Sequence, residues 1–195
     1  MTDTPLSRVE KLIDIPLVGK AFTFASAAHA AVGQTRKYSG APYIVHPVEV
    51  CAIVSSVEDH TKEMLAAALL HDTVEDTAVS LELIEAHFGS VVMNLVYWLT
   101  DVSVVWKDGK KTKVEGNRAA RKEMDRRHTQ MAPTAAQTIK VADLIANTRD
   151  ITESDPSFAK VYMKEKRLLL EGMSANQKLM DEAWKLIHDW EKENG

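Results

Sequence analysis

An apolar helix that runs straight into a cluster of ionisable side chains is the feature this sequence must accommodate first. The run LAAALL at 65–70 is followed at once by His71-Asp72-Thr73-Val74-Glu75-Asp76-Thr77, four ionisable groups in six positions. Carboxylates drawn away from water need partners. The segment is therefore either a solvated helix end or a place where an ion or ligand supplies the partner. Glu75 follows His71 and Asp72 by about one helical turn, so the three side chains can share a face. An adjacent imidazole and carboxylate can both reach a divalent ion lying at the edge of such a helix.

The rest of the chain reads as helix almost throughout. Leu12, Leu17 and Phe22 mark a helical region over about 7–33 that Pro16 divides in two, Ala21–Gly33 forming a compact, small-residue helix. Gly40 and Pro42 make TRKYSGAPY (35–43) a loop. Pro47 suits a first helical turn ahead of Val48–Val57, Thr61 caps the helix that carries LAAALL, and Ser80 caps LELIEAHF, which stops near Gly89. Ser90–Thr100 is apolar enough for a core helix although rich in β-branched residues. Four lysines and two glycines in KDGKKTKVEG make 102–117 a mobile basic loop, read either as a solvated connection or as a contributor to a phosphate site. Helices follow over 118–130, from Pro133 to about Thr148, and near 158–172 and 175–192, with a break at Asp155–Pro156. The expectation is an all-α helical bundle formed as one domain over 1–195.

Composition narrows the functional classes. A formal charge of −4 gives no reason to expect binding to a nucleic-acid polymer, which selects basic surfaces, but leaves room for a local basic pocket. The single cysteine, Cys51, lies in an apolar stretch and reads as a buried thiol; no disulfide framework is available within the chain. The N-terminus lacks an apolar signal core, and no apolar stretch is long enough to span a membrane, so a cytoplasmic location is the default. In the tail, Leu168–Leu170, Met173, Leu179, Met180, Trp184, Ile187 and Trp190 read first as packing and second as a homo-oligomer surface.

Two further residues draw attention. His46 precedes Pro47 at a loop-to-helix transition, where it reads equally as a structural histidine or a ligand. Asp143 sits in the apolar stretch TIKVADLIANTRD, with Asn147 and Asp150 following at near one-turn spacing; it reads as a salt-bridge partner or as part of a metal shell. Two imidazoles and two carboxylates suit Mn²⁺, Fe²⁺ or Zn²⁺ better than a thiolate-selecting ion.

The stretches GQTRKYSGAPYIVHPVEV (33–50), LLHDTVEDT (69–77), LIEAHFG (83–89), LTD (99–101) and IKVADLIANTRD (139–150) together resemble the HD-domain small alarmone hydrolases. They also resemble the hydrolase domain of the bifunctional guanosine polyphosphate synthetase/hydrolases. Family motifs concentrate in 33–150. The resemblance implies an HD-domain helical bundle with a central metal site, Mn²⁺ held by His46, His71, Asp72 and Asp143. It implies a catalytic pair, Glu75 and Asp76, and substrate contacts from Arg36, Lys37, Tyr38, Ser39, Asn147 and Arg149. The implied reaction is hydrolysis of the 3′-pyrophosphate of (p)ppGpp or its adenosine analogue (p)ppApp, small nucleotide substrates, releasing pyrophosphate. No synthetase region follows the matched domain, so the chain is expected to degrade the nucleotide without making it.

The family's usual segment is LADRLHNMR or LADKLYNLR. Here Asp143, Asn147 and Arg149 stand, but the basic residue after the aspartate is Leu144 and the usual His or Tyr is Ala146. That departure leaves guanosine or adenosine preference open. Two other readings remain at the level of sequence: an HD-type 5′-nucleotidase or related nucleotide phosphohydrolase, and a non-catalytic nucleotide-sensing module.

Overall fold

The computed structural model describes residues 5–107 and 110–194, and the side chains of 9–105 and 111–194. Helix α4 (Lys62–Leu70) is its axis. Every side chain from Met64 to Leu70 is buried, with no polar face to turn outward, so the helix is stable only with neighbours on all sides. Those neighbours are α2 (Pro16–Ala31), α3 (Val45–Val54), α7 (Ser90–Leu99) and α9 (Thr134–Ser154). Thr61 caps α4 as expected, its hydroxyl accepting from the Met64 N–H at 3.2 Å.

Pro16 divides the first helical region, α1 (Pro5–Leu12) ending before it and α2 beginning on it. Ser80 caps α6 (Leu81–Phe88), which stops at Gly89 with φ of 85°. The β-branched content of α7 does not prevent a helix, because Val92 and Val96, one turn apart, are both fully buried. Asn117 caps α8 (Arg118–Gln130) through its side-chain oxygen. Helix α9 runs six residues beyond the expected end at Thr148, since nothing in TRDITES breaks it before Asp155–Pro156. Asp155 then caps α10 (Pro156–Leu170), and α11 (Gln177–Asn194) closes the bundle against α9 and α10. A four-residue helix α5 (Thr73–Asp76) continues from α4 through His71 and Asp72.

The 102–117 segment corrects the loop expected there. Val104–Lys107 (β1) and Lys110–Lys113 (β2) pair antiparallel, Val104 opposite Lys113 and Lys107 opposite Lys110. Its base is fixed from below: Ser103 donates both its N–H and its hydroxyl to the Asp125 carboxylate on α8, at 2.9 and 2.7 Å. The tip, Asp108 and Gly109, and the side chains of Trp106, Lys107 and Lys110 lie outside the described residues. Cys51 is buried, its thiol pushed up to about 12 by that burial, and no helix among the described residues is long and apolar enough to cross a membrane.

Candidate metal centre and its surroundings

Three helices bring one side chain each to the centre of the bundle. His46 comes from the first turn of α3, His71 from the end of α4 and Asp143 from the middle of α9, all three buried. One ligand atom from each lies within 4.8 Å of the other two. His46 Nε2 is 3.1 Å from Asp143 Oδ1, and His71 Nε2 is 3.8 Å from the same oxygen. Asp72, partly buried, reaches in from the rim: its Oδ2 is 3.1 Å from His71 Nε2 and 3.8 Å from His46 Nε2.

The donor chemistry fits a divalent ion. His71 Nδ1 donates to the Ala68 carbonyl at 2.8 Å, which orients the ring and directs Nε2 into the cluster. That Nε2 is buried and, among the described residues, makes no well-aligned hydrogen bond, its 3.1 Å approach to Asp72 Oδ2 included. Converging imidazole nitrogens and carboxylate oxygens at such spacing can hold a divalent ion. The charges already feel one another. Burial alone would lower His71, but the Asp72 and Asp143 carboxylates outweigh it and hold the imidazole up to about 9. Burial opposes ionised Asp143, yet Lys140 and the two histidines keep it well below the usual carboxylate range.

Of the support for these groups, Asn147 was visible in its motif and Tyr43 and Lys140 were not singled out. Tyr43 donates its hydroxyl to Asp72 Oδ2 at 2.6 Å, and its own ionisation is suppressed by burial and by that carboxylate. Lys140 Nζ stands 3.2 Å from Asp143 Oδ2, and Asn147 donates to Asp143 Oδ1 at 2.6 Å, one helical turn on either side. Lys140 follows from α9 periodicity once Asp143 is placed. Tyr43 had no such signal.

Glu75 and Asp76 stand on α5, one turn after His71 and Asp72. Lys111, from the hairpin, bridges them with Nζ 3.1 Å from Glu75 Oε1 and 2.6 Å from Asp76 Oδ1. The hairpin thus reaches the two carboxylates of α5. Burial, then the Asp101 and Asp72 carboxylates, raise Glu75 to about 7. Asp76 is held differently: Gln34 donates to its Oδ2 at 2.8 Å, and the Gln34 carbonyl accepts from His29 Nδ1 at 2.7 Å.

The RKYSG loop docks on the far part of α9. Gly40, with φ of 69°, turns the loop, and a Thr35–Pro42 bridge closes it. Arg36 pairs with Asp150 at 2.5 Å, while Lys37 and Tyr38 both reach Asp155 Oδ2, at 3.2 and 3.1 Å. Ser39 is exposed and accepts from the Ala41 N–H, shaping the loop. Arg149 faces elsewhere: its contacts are Glu182 at 2.6 Å and Glu49 at 3.9 Å. Leu144 and Ala146, where the sequence departs from the segment usual in the family it resembles, are buried within α9, as is the neighbouring Asp143.

A helical bundle that closes two imidazoles and a carboxylate on one point, with two further carboxylates alongside, defines a metal-dependent hydrolase of the HD class. The HD domain family matches residues 21–176. Among curated relatives, the guanosine-3′,5′-bis(diphosphate) 3′-pyrophosphohydrolase MESH1 of Mus musculus is 32% identical over 173 residues, covering 84% of this chain and 89% of that protein. Its counterpart in Xenopus tropicalis is 38% identical over 145 residues, covering 73% and 74%. A solved structure described as a metazoan ortholog of SpoT that hydrolyzes ppGpp aligns with a TM-score of 0.74 at 26% identity, covering 89% of this chain and 94% of that one. The chain belongs to the HD-domain alarmone hydrolase family.

Proposed function

We propose that this chain is a Mn²⁺-dependent pyrophosphohydrolase that removes the 3′-pyrophosphate of (p)ppGpp or its adenosine analogue (p)ppApp. The observation that carries this reading is the buried His46, His71 and Asp143 cluster, with Glu75 and Asp76 following His71 and Asp72 by one turn on α5. Asp72 is the fourth ligand, held in place by Tyr43. A divalent ion there would acidify water and offset charge on the reacting phosphoryl group.

The protein's own side chains supply the rest. Glu75, raised to about 7, is poised to take a proton near neutral pH and acts as the general base. Asp76, held by Gln34, orients the same water or relays the proton. Lys111 spans both carboxylates, and an incoming phosphate gives it an alternative partner. Arg36 presents a planar guanidinium to the base, and Lys37, Tyr38 and Ser39 form the lip of the same pocket. Asn147 adds a polar contact between base and cluster. Arg149, paired with Glu182, contributes to substrate binding only by leaving that partner. The enzyme works as one domain on a cytoplasmic small nucleotide.

The test is a product assay on metal-stripped protein, with and without added Mn²⁺, using the guanosine and adenosine 3′-pyrophosphates side by side. Mn²⁺-dependent pyrophosphate release supports the reading, and the faster substrate identifies the base. Orthophosphate release from nucleoside monophosphates instead, or binding without turnover, would overturn it.

A further inference from the structure

A cavity of about 470 Å³ opens between α8, α9 and α10, with Asp101, Lys122, Lys140, Lys166 and Ala119 in its wall. It shares two of those residues with the surroundings of the metal centre. Lys140 Nζ is 3.2 Å from Asp143 Oδ2, and the Asp101 backbone N–H donates to Glu75 Oε2 at 3.4 Å. Lys140 thus lines the cavity and touches Asp143, while Asp101 lines it and touches Glu75.

Its charges are unevenly satisfied. The acids in the wall all have cationic partners: Lys122 serves Asp101 at 3.0 Å and Asp125 at 3.4 Å, Arg118 pairs with Glu165, and Arg126 with Glu123. Lys166 differs. Among the described residues no carboxylate lies within ion-pair distance of it, Asp143 and Asp101 acting on it only from further away, and its Nζ stands 5.1 Å from the centroid of the Tyr162 ring. Burial, and then repulsion from Lys140, pull its ammonium down to about 8, which is the condition an anion would relieve.

Position fixes what kind of anion. Along α9, Lys140 lies one turn before Asp143, whereas Asn147 lies one turn after it and the RKYSG loop docks still further on, at Asp150. Lys140 and Asp150 are about 15 Å apart along the helix axis. A nucleotide with its base on the loop side and its 3′ phosphorus at the cluster therefore projects its terminal phosphate towards Lys140 and Lys166.

We propose that this cavity is a pyrophosphate compartment, holding the distal phosphate of the bound 3′-pyrophosphate and then the released pyrophosphate. The inference rests on the function proposed above and adds a site to it. In the reaction, the oxygen of water bonds to the proximal phosphorus, the bond from that phosphorus to the 3′ oxygen breaks, and a proton ends on the 3′ oxygen. Both phosphates leave together, so the compartment faces the same two-phosphate group before and after the step.

The experiment measures inhibition of turnover by inorganic pyrophosphate at fixed free Mn²⁺, with the nucleoside 5′-diphosphate as a second inhibitor. Lys166→Met keeps the side-chain stem on Tyr162 and removes the charge. It should raise the inhibition constant of pyrophosphate about tenfold, the scale of one lost charge-assisted hydrogen bond, and leave that of the nucleoside diphosphate unchanged. Equal pyrophosphate inhibition in the variant and the parent overturns the compartment. Ala119→Glu, at an exposed position of α8, puts a negative charge into the cavity and carries the same test if Lys166→Met fails to fold. If neither nucleotide is turned over, the functional reading fails on its own. Calorimetry of pyrophosphate binding to the Mn²⁺-loaded chain then decides the compartment: weaker binding in the variant upholds it, and equal binding overturns it.

Discussion

Glu75 carries the sharpest consequences at the scale of single residues. Burial and the carboxylates of Asp101 and Asp72 raise it to about 7, and a base must be ionised to accept a proton. On the proposed role of Glu75 as general base, turnover should be lost as pH falls through the Glu75 value, and any cation at the cluster should move that acid limb lower, never higher. Lys111 also holds Glu75 down. Lys111→Met should thus shift the acid limb of the pH–rate profile to higher pH; a shift to lower pH, or none, would sink the coupling. Glu75→Gln should leave Mn²⁺ binding largely intact while lowering kcat by about 10²- to 10⁴-fold, as single-turnover assays on Mn²⁺-loaded protein can measure. Asp72→Ala should abolish Mn²⁺-supported turnover, and unchanged turnover would remove Asp72 from the ligand set. That His46, His71 and Asp143 come together was legible through the family resemblance, whose stretches contain all three, since by themselves His46 and Asp143 read equally as structural. The contacts of Tyr43 to Asp72, Gln34 to Asp76 and Lys111 to Glu75 and Asp76 were not legible, because each partner comes from a distant element.

Elements matter through what they hold at their ends. Helix α4 has Thr61 at one end and His71 at the other, so its N-cap and the metal centre sit on the same rigid rod. Thr61→Ala removes the bond to the Met64 N–H and should lower stability by about 1 kcal/mol, read as a lower denaturant midpoint with unchanged slope. Caps, glycine stops and prolines placed most helix starts correctly, since those residues act on their own backbone neighbours. The two errors have different origins. The hairpin at 104–113 has little apolar alternation of its own, and its base is fixed by Asp125 from another helix, so tertiary context determines it. The end of α9 was placed early because the apolar stretch gives way to polar residues after Thr148, although the helix continues until the local signals Asp155 and Pro156 end it.

The whole molecule is organised around the point where α3, α4 and α9 meet, so occupancy there should be felt by the entire fold. Without a divalent ion, the Asp72 and Asp143 carboxylates are balanced in part by a protonated His71, held up to about 9. A histidine whose folded value is raised lends stability that is fully present below its unfolded value, about 6.5. That stability is lost as pH rises through the folded value. The metal-free protein therefore weakens between about pH 6.5 and 9, where the imidazole gives up its proton and the carboxylates lose a partner. A divalent ion at the cluster would replace that proton, so the stabilising effect of added Mn²⁺ should grow across the same interval. At a free concentration one hundred times the dissociation constant, binding adds about 2.7 kcal/mol, or about 5–10 °C in Tm for a chain of this size. Thermal melts of stripped and Mn²⁺-loaded protein at several pH values test this. A metal-induced rise in Tm that widens from pH 6.5 to 9 places the ion on the histidines and carboxylates together. A rise independent of pH would mean that binding displaces no proton, and would take His71 out of the ligand set.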